Sequence, residues 1–513
     1  MNSDKRETSL RLLVRIGLLV ATFADASLAQ NVPGPTHALI NGMPNVEVLR
    51  RIFKGEQDTM RRLRIYRPIV ETYIQSLWPD TSAQIPIDDL YFLSKLDISR
   101  HFFENDGLDR LFGKSEESGR IFVDNGQRQE LYPTVFIRML FIDPQDFDPD
   151  TYRLTYLQPA TLGKLDCLVF EVVPVKNDAP HRFKGMVWVE RTELRIVRVQ
   201  GTFQVERVRL GQKLNPFRRS AAFSIRFDCW RQVIAAGLWA PAYVAIDDNI
   251  PWKAIGGDGT TDVHYRGYTC GWGYSHLGSF QNQHLQEDAA DEDYDRVVAA
   301  LQRDGLLGTP GNVEQSLNSI VEEIVRSSNL DLPPIRCRVL LTTPVELFHS
   351  GNTIIVSRGL LDIVPDKVTL AVLLTHELAH MFLETSASAP FEYTRSLFDY
   401  DGPEEFSGLV AARHSEDAEN AAAMKTCELL KDSPYLAGMD GALAFALQLA
   451  SQSSQVTNLT RARFGAGLVE SGHSIHKLQS CFPSGQGTVQ APTLRLSGAY
   501  TVDAWTGKLR SVR

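Results

Sequence analysis

His376, Glu377 and His380, in "LLTHELAH", are the residues of this 513-residue chain whose types and spacing best suit chemistry. On a helix, positions four apart share a face, with Cβ atoms about 5–6 Å from each other. Two imidazoles so placed can converge on one zinc ion at about 2.0–2.1 Å. Glu377 reaches the same rim and can take a proton from a water held there. The flanking Leu373, Leu374, Leu378, Ala379, Met381 and Phe382 are uncharged, which predicts a largely buried helix. Two histidines and a glutamate in such a helix need compensation, and a metal supplies it. The bare H-E-x-x-H pattern also arises by chance, so its surroundings must decide.

A catalytic zinc needs a third protein ligand and one position left for water. "RHSEDAENAAAMKTCELLKDSPY" offers Glu416 and Glu419, three apart and nearly on one face, and spacing leaves both registers open. No G-x-S-x-G nucleophile turn is present.

The elements that must hold these residues follow from periodicity. "YDRVVAALQRDGLL", "NVEQSLNSIVEEIVRSS", "DKVTLAVLLTHELAHMFLET" and "EDAENAAAMKTCELLKD" repeat apolar residues at helical spacing, and "ALAFALQLA" reads as helix core. "RCRVLLTT" and "NTIIVSRGLL" read as two strands between the second and third helices. Ahead of them, about 88–250 is a series of short alternating strands, among them "KLDCLVFEVVPV" and "SAAFSIRFDCW". That series predicts an antiparallel sheet, open or partly closed.

Residues 44–78 read as helical, with the basic stretch 49–68 a solvated face or, as the other reading, a peripheral membrane contact. "IPWKAIGGDGTTDVHY" reads as a loop, and its glycines lack the strand–helix setting that cradles phosphate. Acidic 286–297 is a linker into a helix and lacks the glycine and terminal glutamate of a calcium loop. "LRLSGAYTVDAWTGKLRSV" reads as a strand hairpin turning at "WTG".

The expected fold class is α+β. A signal peptide at 1–29 precedes a helical lead-in with a β-rich accessory domain at 30–285. A mainly helical peptidase domain at 286–480 and a hairpin tail at 481–513 follow. The signal rests on Lys5, Arg6, Arg11 and Arg15 ahead of "IGLLVATFA", with cleavage expected after Ala29. The mature protein is therefore expected to be exported, periplasmic or secreted, and soluble. A net charge of -9 argues against nucleic acid as a partner. Six scattered cysteines exclude a cysteine-rich zinc module and leave disulfides or buried thiols open.

Three blocks resemble the M48 zinc metallopeptidases, the family of the Ste24 and HtpX proteases. "NTIIVSRGLLDIV" is similar to that family's strand and "GLL" turn, "AVLLTHELAH" to its zinc helix, and "ENAAAMKTCELL" to the helix that brings a glutamate ligand. Matching Ala422 and the pair Leu429–Leu430 places that ligand at Glu419, with Glu416 as second choice. The resemblance implies a zincin-type fold and zinc held by His376, His380 and Glu419. It implies Glu377 as general base, a gluzincin-type endopeptidase using zinc-activated water, and a protein or peptide substrate. The family's aspartate four residues after the glutamate, an outer-shell group, is Ala423 here. A substrate is expected to pair its backbone with "NTIIVS". His473 and His414 are candidate transition-state donors, with His476, Tyr393 and Arg395 behind them.

"FKGMVWVERTELRIVRVQG" and "CWRQVIAAGLWAPAYVAIDD" resemble the curved sheet of LolA/LolB lipoprotein carriers. Two other functions therefore stand beside the peptidase. One is a decayed peptidase serving as a binding or chaperone protein, and the other a lipid or lipoprotein carrier.

Overall fold

The structure is a computed structural model. It describes residues 39–40, 42–77, 86–95, 141–142, 146–176, 182–206, 222–253, 260–276, 296–303, 305–328, 333–384, 415–464, 468–469, 500–503 and 508–511. Residues 1–51 and 52–513 form two compact units. In the first, Leu39–Ile40 (β1) pairs antiparallel with Met43–Pro44 (β2). Helix α1, Asn45–Leu63, begins there, and Glu47 in its first turn accepts from Arg50 and Arg51 at 2.8 and 2.7 Å.

In the second unit the later turns of α1 bury Ile52, Phe53, Glu56, Met60 and Leu63, a helical stripe. Phe53 packs on Phe147 at 5.0 Å between ring centroids, and Phe147 on Tyr152 at 5.4 Å. Glu56 is gripped by both terminal nitrogens of Arg231, each at 2.6 Å, with the two side chains 2% and 1% exposed.

The β-rich region is one nine-stranded antiparallel sheet. Its strands are Tyr66–Leu77 (β3), Pro86–Lys95 (β4), Tyr152–Leu162 (β5), Leu165–Pro174 (β6), Phe183–Glu190 (β7), Ile196–Glu206 (β8), Ala222–Ala235 (β9), Leu238–Lys253 (β10) and Thr260–His276 (β11). Their order is β4-β3-β11-β10-β9-β8-β7-β6-β5. Alternation sets the faces: on β9, Ile225, Phe227, Cys229 and Arg231 are buried while Ser224 and Arg226 are exposed. Gly163 and Gly237, at φ 59° and 60°, make the tight β5–β6 and β9–β10 turns.

Two expectations are corrected here. The helix over 44–78 stops at Leu63, and Tyr66–Leu77 is a strand beside β11. "YRPIVETYI" carries the aromatic and β-branched residues that a pleated surface takes. The loop over "IPWKAIGGDGTTDVHY" is mostly the ends of β10 and β11, paired from Ile250↔Val263 to Lys253↔Thr260.

The helical part runs through Arg296–Arg303 (α2), Asn312–Ser327 (α3), Arg336–Leu340 (β12), Leu347–Ser350 (β13), Thr353–Ser357 (β14) and Arg358–Ile363 (α4). It continues through Lys367–Glu384 (α5), Glu416–Leu430 (α6), Met439–Gln452 (α7) and Thr457–Thr460 (α8), followed by a hairpin of Tyr500–Asp503 (β15) and Lys508–Ser511 (β16). Three strands stand where two were expected: β14 lies between β12, parallel, and β13, antiparallel. Helix α5 threads the core, with Leu370 to Leu374, Leu378 and Met381 packed among Leu317, Ile320 and Ile324 of α3 and Phe445 and Leu449 of α7. The architecture is α+β. Among the described residues no helix is long and apolar enough to cross a membrane.

Two buried carboxylates join sheet and helices. Glu71 on β3 accepts from the Thr343 N–H and from Arg358, each at 2.5 Å. Asp89 on β4 accepts from the backbone N–H of Asn458 at 2.9 Å and of Leu459 at 2.8 Å. Cys167, Cys229 and Cys337 are buried thiols outside any disulfide; burial pushes them up to about 11, 12 and 12, so none supplies a thiolate nucleophile. Cys427 is disulfide-bonded.

Candidate metal centre

Asp366 starts α5 by accepting the Thr369 N–H at 2.7 Å, and Ser415 starts α6 by accepting the Ala418 N–H at 3.2 Å. The two helices meet through the small side chains of Ala379 and Ala422, backed by Leu429. That close approach lets the first turn of α6 face the middle of α5. Ahead of them, Gly359 donates its N–H to Thr342 at 3.1 Å. A Cβ at Gly359 would lie 1.6 Å from the Thr343 carbonyl oxygen, which is why glycine stands in the "GLL" turn.

His376, His380 and Glu419 converge, with one donor atom from each all within 4.8 Å. Glu419 Oε2 lies 3.3 Å from His376 Nε2 and 3.5 Å from His380 Nε2. Bonds of about 2.0–2.1 Å at tetrahedral angles separate ligand atoms by about 3.3–3.4 Å, so these spacings fit a zinc ion. Burial pushes the Glu419 carboxyl up, but hydrogen bonds and charge from the two histidines outweigh it and hold it well below the usual carboxylate range.

Thr426 fixes one imidazole. Its hydroxyl donates to the Ala422 carbonyl at 2.7 Å, and a hydroxyl has one proton to give. At 3.1 Å it therefore accepts from His376 Nδ1–H, which aims Nε2 at Glu419, where it either carries a proton shared with the carboxylate or offers its lone pair to a cation. Two imidazole nitrogens and a carboxylate facing each other call for a cation or a proton between them. Metal-binding histidines typically have such an outer partner. Here Thr426 provides it, while Ala423 is fully buried in the core.

Glu377 is 5% exposed, and its Oε1 lies 2.5 Å from His349 Nδ1. Burial raises its carboxyl, but the His349 hydrogen bond and the charges of His349, His380 and His376 bring it below its ordinary value. His349 comes from β13, whose Leu347 packs in the α5 core while Phe348 packs on the opposite side with Ile355. Alternation puts His349 on the Leu347 face, toward α5.

Glu416 is exposed and stands apart from the convergent group. His414, His473, His476, Tyr393 and Arg395 lie outside the described residues. The expected pairing of substrate with "NTIIVS" is corrected: β14 has a strand on each side, and the edge strands are β12, whose outer side bonds to residues 306–308, and β13. Reading the sequence missed two residues. Thr426 has a signal, since it lies seven positions, two helical turns, after Glu419. His349 has only its place in a four-residue strand.

Residues 312–394 match the model of peptidase family M48. The M48 stretch runs from α3 through β12–β14 and α4 to α5, so it includes His376, Glu377, His380 and His349, whereas Glu419 follows it. M48 is a family of metallopeptidases. No curated protein matches this chain. Among solved structures it is similar to a LolA superfamily protein from Nitrosomonas europaea, at 10% identity and a TM-score of 0.21, over 44% of this chain and 93% of that one. It is also similar to a DUF1329 family protein from Desulfovibrio piger, at 12% identity and a TM-score of 0.22, over 47% of this chain and 99% of that one.

Proposed function

We propose that this protein is an exported zinc-dependent endopeptidase of the two-histidine, one-glutamate kind. The observation that carries the reading is the convergence of His376, His380 and Glu419 beside Glu377. His376 and His380 would hold the ion through Nε2, and Glu419 through Oε2. Such an ion, when bound, acidifies a water and polarises a peptide carbonyl.

The chain's own groups supply the rest. Glu377 accepts the proton from the attacking water and delivers it to the departing amine. Thr426 keeps the proton of His376 on Nδ1. The substrate lies extended, its backbone pairing with the side of β13 that no described strand covers. Export draws support from the disulfide at Cys427, since such bonds persist in oxidising compartments.

The test is Glu377→Gln. The variant should bind zinc in the same stoichiometry as the parent and lose cleavage of casein. Undiminished proteolysis by it refutes the mechanism. In the parent, a chelator should abolish cleavage and added Zn2+ restore it.

A further inference from the structure

We infer that His349 is the positioning residue that sets the Glu377 carboxylate for proton transfer; the inference rests on the peptidase reading of this site. A carboxylate only accepts hydrogen bonds, so His349 Nδ1 is the donor in the 2.5 Å contact to Oε1. With Oε1 held, Oε2 is the oxygen left to receive a proton. A buried glutamate without this restraint has several rotamers, and only some point that oxygen toward a water between His376 and His380. Fixing the rotamer beforehand removes that loss from the reaction.

The source of His349 adds to the case. It stands on β13, an edge strand of its sheet, one face of which is packed on α5 through Leu347. A peptide that adds to this edge presses on the same backbone that carries the imidazole, so docking of substrate and orientation of the base act through one strand. The His349 and Glu377 side chains are 10% and 7% exposed. Water therefore competes little for the bond.

A merely structural partner would also satisfy a buried carboxylate, and the experiment must separate the two roles. Full-length parent, His349→Ala and His349→Asn are compared. Asparagine places a donor nitrogen near the position of Nδ1, so it keeps the bond without the ring. Zinc affinity is measured by chelator competition, kcat and KM on a quenched-fluorescent casein peptide, and folding by thermal melting.

The alanine variant should lose about 10–100-fold in kcat, the range typical when such an outer partner is removed. KM and zinc affinity should stay within about twofold of the parent, and asparagine should restore most of kcat. Parental kcat in the alanine variant overturns the inference, as does an asparagine variant no better than alanine. Zinc affinity falling in step with kcat overturns it too, because His349 would then act on the ion. If alanine unfolds the chain, the asparagine variant decides alone: near-parental kcat supports positioning and a kcat loss overturns it. A parent that binds no zinc and cleaves nothing removes the peptidase reading itself, which the variants alone cannot do.

Discussion

Thr426 is the smallest feature on which the centre depends. Thr426→Val keeps the shape and removes the acceptor, so His376 is free to take the other tautomer. Zinc affinity or activity should fall about 10–100-fold with the melting temperature little changed. Thr426→Ser should recover it, and chelator competition checks both. An unaltered affinity in Thr426→Val would show that the imidazole needs no such partner. The contrast between Thr426 and His349 also shows what could be read in advance. His376, Glu377, His380 and Glu419 were visible because each pair lies on one helix or in a block resembling a known family. Thr426 shares the helix of Glu419, but the implied aspartate drew attention to position 423, which is core. His349 meets Glu377 only because β13 pairs with β14 and lies against α5, a contact that sequence spacing does not encode.

Elements were readable wherever the period was long. The helices and most of the antiparallel strands follow from spacing, as α5 and β9 illustrate. Errors fell where a helix gives way to a strand without a break in hydrophobicity, as at Leu63 to Tyr66. A strand of four residues was missed because "LFHS" is too short to show alternation. The turn from β14 into α4, where "GLL" resembles the turn of the M48 family, yields a firm prediction. Gly359→Ala forces a methyl into the Thr343 carbonyl, a backbone atom that cannot swing aside. Such overpacking costs about 1–3 kcal/mol or more, and because α4 leads directly into α5, zinc binding should fall with stability. Denaturant unfolding and zinc stoichiometry of the variant give the check; parental stability would mean that the turn opens easily.

For the whole molecule, the joint between sheet and helices carries a pH dependence. Asp362 on α4 has its carboxyl pushed up to about 7 by burial, against the pull of Arg358 and with the push of Glu71. Its folded value thus lies above its unfolded one, so the folded state keeps a proton that the unfolded chain gives up near pH 4. Stability from this group is therefore full below about pH 4 and is lost as pH rises toward 7. Asp362→Asn should flatten that decline, raising stability at pH 8 by about 2–4 kcal/mol while leaving pH 4 nearly unchanged. Melting across that range measures it, and parallel curves for both proteins would sink the assignment. The same joint ties residues on either side of the boundary expected near 285: Glu71 and Asp89 are bonded to residues some 270 and 370 positions later. A last consequence concerns the seam between α1 and the sheet. The ion pair of Glu56 and Arg231 acts as a keystone between α1 and the sheet, and prising such a pair apart costs about 3–5 kcal/mol. Anything apolar that wedged between that helix and the sheet would have to leave a guanidinium bare in an oily setting, so this seam is closed to such an intruder while the pair holds.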